Sequence, residues 1–381
     1  MLLGALLLLL VALRLALLLA LLLLLLALLL LLLALLAGCG SPAVQNKTVL
    51  GVWREAGPGS TAAEKTQLVL RLTHSSSEQS AANDAAQAMK TRLEAVSGGT
   101  MSIEIFANDS LGSLNDAWNS FGNGTVDLRI GTADIPQQGA IMWLPLLADT
   151  DKDTLQAACG KGGALRSLFE EYSLEKNSLV LGVLPMQYRV LASNIPVKNK
   201  ENMRQLTMRT IGNGGDNAYW QILCGKTKDV NVQKLALALQ QKEVNACDNT
   251  LTNLVEYGTY KQVRYLTKLA DRVYFDTILM NRQRMDSLTE SQQQWVRDAA
   301  AYAERTISEE QPGREKAALE KITAQGVQVY ELSEADQSGI RNATRDAIRQ
   351  EYAQRLGQEE LEKILQAAGV QTEDTEKTQE G

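Results

Sequence analysis

Histidine is nearly missing from this chain: His74 is the single example in 381 residues. Zinc sites draw on several His and Cys at close spacing, and no CxxC, HxxxH or HExxH occurs. A Ser-His-Asp arrangement has only His74 to use, without a GxSxG nucleophile motif beside it. There is no P-loop, and Gly212-Asn213-Gly214-Gly215 lacks the strand–GxGxxG–helix setting of a dinucleotide site. Basic residues are not in excess, with 38 Lys and Arg against 44 Asp and Glu and a net charge of −6. A nucleic-acid partner, which requires a basic stripe, is therefore excluded. Metalloenzymes and hydrolases lose ground for the same lack of side chains, and no cofactor is called for.

What the chain has in abundance is leucine at its start. An almost pure Leu run fills residues 1–36 and closes on Leu36-Ala37-Gly38-Cys39. That ending resembles a bacterial lipobox, which implies that residues 1–38 are a lipoprotein signal segment and that Cys39 carries the lipid. Two or more acyl chains give stable membrane attachment. A run this long also reads as an uncleaved membrane anchor; either way the remainder is exported. Residues 39–66 mix Gly, Pro, Ser and charge without apolar periodicity, as a flexible tether does, and residues 369–381 read as a disordered polar tail. With Cys39 assigned to lipid, Cys159, Cys224 and Cys247 remain, an odd number. A Cys224–Cys247 disulfide is conceivable; buried unpaired thiols are the preferred reading.

Between these ends helix and strand patterns alternate. Leu68–Leu72 and Met101–Phe106 alternate as strands, and Val126–Ile130 follows as a third. Residues 80–97 place Ala85, Met89, Leu93 and Val96 on one helical face and stop at Gly98-Gly99. Residues 113–121 suggest another helix. A second set of strands runs through Ser178–Val183, Leu206–Thr210, Val244–Asp248 and Val273–Met280, and long helices fill 288–324 and 334–367. The order predicts largely parallel sheets with helices on both faces, arranged as two α/β lobes with a ligand cleft between them.

Several segments then become recognisable in order. They are Leu70-Arg71-Leu72-Thr73-His74, Ile105-Phe106-Ala107-Asn108-Asp109-Ser110-Leu111-Gly112, Gly124-Thr125-Val126-Asp127-Leu128 and Leu144-Pro145-Leu146-Leu147. Tyr188-Arg189-Val190-Leu191-Ala192-Ser193, Met203–Arg209 and Leu237–Asn249 continue the series. From about residue 68 to 360 the chain resembles the substrate-binding proteins of tripartite ATP-independent periplasmic (TRAP) transporters, the DctP-like family. The resemblance implies a two-lobed periplasmic-binding-protein-like α/β fold with long C-terminal helices. Lobe I would cover 67–189 and 275–305, and lobe II 190–274 and 306–368. It also implies capture of a small organic acid for TRAP membrane permease subunits, without catalysis or cofactor.

Arg189 and Arg209 are 20 positions apart and Asn249 follows 40 positions later; in the family two arginines and an asparagine so spaced hold the ligand carboxylate. Arg209 would be the principal bidentate partner, Arg189 a second cation near the hinge, and Asn249 an amide donor. A guanidinium fork matches a carboxylate and keeps its charge at any working pH. His74 and Ser75, after the first strand, belong to a cleft-lining turn in this family. Tyr188, Tyr219, Trp220 and Phe275 are candidates for the pocket wall, although Tyr219 and Trp220, adjacent on a helix, cannot face the same way.

The chain departs from the family pattern around the pocket. Ala246-Cys247-Asp248-Asn249-Thr250 stands where Gly-Gln-Glu-Asn-Pro is usual, which touches ligand identity more than fold. A receptor that reports to a sensor, an exported enzyme on the same fold, and a lobed protein that no longer binds remain open alternatives.

Overall fold

The computed structural model describes residues 67–369 apart from Ser113, Asp134 and Asn213. The leader, Cys39, the tether and the tail beyond 369 lie outside the described residues. The chain opens with β1 (Leu68–Thr73), α1 (Ala81–Val96), β2 (Met101–Phe106), α2 (Leu114–Gly122) and β3 (Leu128–Gly131). Four short helices follow, α3 (Pro136–Met142), α4 (Leu144–Leu147), α5 (Lys152–Ala158) and α6 (Ala164–Glu175), and then β4 (Ser178–Val183). Next come β5 (Gln187–Ser193), β6 (Met208–Thr210), α7 (Gly214–Cys224), β7 (Thr227–Asp229), α8 (Val232–Gln240), β8 (Ala246–Asn249) and α9 (Leu251–Glu256). The last part holds β9 (Tyr265–Tyr274), β10 (Thr277–Asn281), α10 (Arg282–Asp286) and α11 (Glu290–Ala324). It closes with β11 (Gln328–Glu331), α12 (Glu334–Leu356) and α13 (Gln358–Ala367).

The strands build two sheets, ordered β2-β1-β3-β10-β4 and β11-β9-β5-β8-β6-β7. Alternation decides their faces: in β1, Leu70 and Leu72 are buried while Val69 and Arg71 are exposed, the period-two consequence of strand geometry. Ser80 caps α1 by accepting from Asn83 N at 3.1 Å, so the helix begins where the periodicity places it.

Both sheets are largely parallel, as expected, each with one reversed strand, β10 in the first and β5 in the second. β1 runs parallel to β2 and β3, but β10 is antiparallel to β3 and β4. In the other sheet β5 is antiparallel to β8 and β9, while β6 runs parallel to β7 and β8. The cause is the chain path. β4 leaves one sheet through residues 184–186 and β5 enters the other; β9 and β10 make the return crossing through Phe275-Asp276. A strand that arrives from the partner lobe enters at the cleft end and so runs against strands that end there. The strand expected over 273–280 is for the same reason two strands, broken at the crossing.

α11 spans both halves. Val296, Ala299, Ala300, Ala303 and Ile307 pack on the core of the first sheet, and Leu319 and Ile322 on a core of the second. Pro312 lies between them inside the helix. The helix expected over 334–367 is divided at Gly357, whose φ of 88° suits glycine. α12 then packs Tyr352 against Gly139 and Gly215, where a Cβ would come within 2.8 Å of its hydroxyl and 3.1 Å of its ring, respectively. No helix among the described residues is long and apolar enough to cross a membrane.

Candidate ligand-binding cleft

Strand register explains how three residues far apart in sequence meet. Val190 on β5 pairs with Asn249 on β8, and Met208 on β6 pairs with Ala246 on β8. Arg189, Arg209 and Asn249 therefore sit on three adjacent strands, close to their cleft ends. All three are buried.

The two arginines have different surroundings. Arg189 donates from Nε to Asp248 Oδ2 at 2.6 Å, from Nη2 to the Asp248 carbonyl at 2.7 Å, and from Nη1 to Asn249 Oδ1 at 3.5 Å. Its charge is met by its own protein. Arg209, 4% exposed, donates from Nε to the Val230 carbonyl at 2.8 Å and makes no ion pair among the described residues. Burial, joined by the neighbouring Arg189 cation, holds Arg209 below the ordinary arginine range. Two like charges held close in a dry site favour an anion between them. Asn249 commits its oxygen to Thr250 N at 2.9 Å and to Asn253 Nδ2 at 3.2 Å. Its amide nitrogen takes no partner among the described residues, so a donor is left over.

A third arginine, not anticipated from sequence, completes the cluster. Arg272 on β9 donates to Asp216 Oδ1 at 2.7 Å and also to Asp248 Oδ2. Its guanidinium carbon lies 4.4 Å from the centroid of the Trp143 ring. Burial pushes Arg272 down to about 10. Burial would raise Asp216, but the charges of Arg272 and Arg189 outweigh it and hold that carboxyl low. Of the three buried arginines, Arg189 and Arg272 thus share two carboxylates, Asp216 and Asp248, and Arg209 pairs with neither. Asp248 gave only one sequence signal, its place in the segment that departs from the family pattern; Arg272 and Asp216 gave none that a single chain reveals.

The other expected site residues are dispersed. His74 is buried beneath the start of α1, its Nε2 3.3 Å from Asn83 Oδ1, and burial lowers its pKa. Ser75 follows it, half-buried. Tyr188 is half-buried and accepts from Lys152 N at 3.0 Å, at the first turn of α5. Tyr219 and Trp220 are both in the core, their rings 4.9 Å apart and edge to face. Adjacent helical residues can share one core when the helix is wrapped on both sides, here by the short helical turn Lys200–Gln205 before β6 and by α12. Tyr219 donates to Asp271, and burial pushes that carboxyl up to about 7. Cys159, Cys224 and Cys247 are unpaired and buried, which raises each thiol, Cys159 and Cys224 to about 12 and Cys247 to about 11.

Two cavities flank the crossing. One, of about 330 Å³, is lined by Arg189, Arg272, Trp143, Tyr274, Ile211 and Tyr352 among others. The second, of about 430 Å³, is lined by Gln187, Glu256, Tyr274, Phe275, Asp276 and Gln311 among others. Tyr274 borders both. These volumes suit a small metabolite. No group of three or more His, Cys, Asp and Glu able to hold a metal occurs among the described residues.

Two sheets joined by strand crossings over an arginine-lined cleft define a two-lobed solute-binding protein. The profile of bacterial extracellular solute-binding protein family 7 (DctP) matches residues 72–355, and the chain belongs to that family. The ectoine-binding periplasmic protein TeaA of Halomonas elongata is 23% identical over 258 residues, 67% of this chain and 75% of that protein. Its TRAP-transporter structure superposes with a TM-score of 0.72 at 20% identity, covering 79% of this chain and 99% of that one. The sugar acid binding protein DctPAm from Advenella mimigardefordensis, in complex with galactonate, gives 0.71 at 19% identity, over 80% and 98%. A TRAP periplasmic solute-binding protein from Desulfovibrio salexigens, with bound orotic acid, gives 0.70 at 19% identity, over 79% and 98%. At such identities the structures establish the common fold.

Proposed function

We propose that this protein is an extracytoplasmic receptor that closes over a small organic carboxylate and delivers it to a TRAP-type permease. The observation that carries the reading is the buried Arg209 guanidinium, which has a backbone contact on Nε and no ion pair among the described residues. A solute carboxylate beside it would balance the surplus of three arginines over two acids, with Asn249 adding an amide donor. Arg189, committed to Asp248, would act by fixing the strand ends and adding field. The orotate-bound and galactonate-bound relatives take acids, which fits this reading. The lobes are taken to span 67–189 with 275–305 and 190–274 with 306–368. Closure is the whole function, and the solute leaves unchanged.

Calorimetry with a panel of dicarboxylates, sugar acids, keto acids and amino acids tests this, beside Arg209→Ala. Loss of the charged contact should weaken a binding acid by about 100-fold. Equal affinity in the variant, or no acid bound by folded protein, overturns the assignment. Anchoring through lipid on Cys39 is part of the proposal. Cys39→Ala should then release the protein from the membrane fraction.

A further inference from the structure

The 330 Å³ cavity combines positive charge with apolar surface, and no acidic side chain among the described residues lines it. Its charged side chains are Arg189, Arg272 and Arg355. Two of them are already balanced: Arg189 pairs with Asp248, and Arg272 with Asp216 and Asp248. Arg355, on the last turn of α12, is exposed and makes no ion pair among the described residues. Water screens a charge so placed, and it contributes little. Arg209 is not part of this wall; its guanidinium acts on Arg189, which is. Three buried arginines against Asp216 and Asp248 leave a surplus of at most one positive charge, enough for one carboxylate.

Most of the uncharged polar side chains on the wall are occupied. Gln138, 1% exposed, accepts from Ala133 N at 2.5 Å and donates to the Phe275 carbonyl at 3.0 Å. The Tyr274 hydroxyl donates to Asp276 at 2.7 Å, and that of Tyr352 takes a hydrogen bond from Trp143. Thr132 is the one remaining hydroxyl among the lining side chains. The other side chains are apolar, among them Ile135, Pro136, Met142, Ile211 and Val273. A solute bearing several hydroxyls would give up water here for few new partners, at a cost for each group left unmatched.

Ile211 supplies an independent sign. It follows Arg209 by two positions, on the loop from β6 to α7, and is 49% exposed. The other large apolar side chains left this open among the described residues are Val69, Leu174 and Leu237, and none of them lines either cavity. An open apolar side chain on a cavity wall is covered when an apolar group enters. We infer that the solute is a monocarboxylic acid with an apolar body, aryl or branched aliphatic, which fills the 330 Å³ cavity against Ile211 while the carboxylate meets the arginine cluster. The inference rests on the carboxylate reading and names the class of acid.

The test compares isocaproate, adipate and gluconate, which share one carbon count, with phenylpropanoate and with the uncharged isocaproamide. Calorimetry measures their binding to the full-length protein and to Ile211→Ser. Ile211 is half exposed, so the fold is retained; thermal melting checks this. Isocaproate or phenylpropanoate should bind wild type about ten- to a hundredfold tighter than adipate and gluconate. Either apolar acid supports the inference, phenylpropanoate marking an aryl body and isocaproate a branched one. Ile211→Ser should weaken the apolar acids at least about fivefold more than the other two. If adipate or gluconate binds as tightly as the better apolar acid, or if Ile211→Ser shifts all acids alike, the inference is overturned while the carboxylate reading stands. If isocaproamide binds as tightly as isocaproate, or no probe binds the folded protein, the carboxylate reading falls and the inference falls with it.

Discussion

Asp248 is the side chain on which the arginine cluster depends, and Asp248→Asn isolates its charge without changing its shape. In the native protein it meets Arg189 at 2.6 Å and also pairs with Arg272, with side chains only 10%, 7% and 3% exposed for Arg189, Arg272 and Asp248. Breaking a buried pair from one side leaves a charge uncompensated, at a cost of roughly 3–5 kcal/mol. Arg272 keeps Asp216 at 2.7 Å, and Arg189 keeps the residue-248 carbonyl at 2.7 Å. The expected loss is therefore at the lower end, about 3 kcal/mol. At about 2–4 °C per kcal/mol for a domain of this size, the melting temperature should fall by about 6–12 °C. Removing the cation as well, in Arg189→Met with Asp248→Asn, should cost less than the two single losses added together, with a coupling of at least about 1 kcal/mol. A bound carboxylate should restore part of the loss, so its stabilising shift will be larger in Asp248→Asn than in the parent. A melting shift under about 2 °C together with additive losses would refute the argument that this carboxylate neutralises both arginines.

Asp271 and Glu256 have folded pKa values raised from 3.8 and 4.5 to about 7. The native state then holds more protons than the unfolded chain between about pH 4 and 7, so stability falls as pH rises through that window. Melting curves across it should show the decline, and Asp271→Asn should flatten it. Gly163 opens α6 where a Cβ would lie 2.1 Å from the Ala158 carbonyl; Gly163→Ala should lose about 2 kcal/mol or more, read by urea unfolding. Thr250 caps α9 by accepting from Asn253 N at 3.2 Å, and Thr250→Ala should cost about 1 kcal/mol in the same assay. Thiol reagents under native conditions should leave Cys159, Cys224 and Cys247 unmodified until the protein is unfolded, since burial suppresses all three thiolates.

Local patterns carried much of the fold. Alternation in Leu68–Thr73 and Met101–Phe106, and the helical face of Ala85, Met89 and Leu93, required no knowledge of neighbours, because strand and helix periods are written in consecutive side chains. The order of those elements, with the segments around Arg189, Arg209 and Asn249, was enough to expect a two-lobed α/β protein. The reversed strand in each largely parallel sheet was not legible: whether β5 and β10 run with or against their neighbours depends on the end at which the chain re-enters each sheet, a property of the crossings. The wall roles expected of Tyr219 and Trp220 were equally undecidable, since a helix wrapped on both sides buries adjacent residues together. The partners of the arginines were the least accessible. Arg189, Asp216, Asp248 and Arg272 come from three strands and a helix, and an arginine at a strand end looks the same in sequence whether an aspartate or a vacancy faces it. The sequence alone determined the class of protein and pointed to two of its buried arginines, Arg189 and Arg209, but not to Arg272. Tertiary structure decided which of them already has its counter-charge, because ion pairing depends on distances that only the folded chain creates.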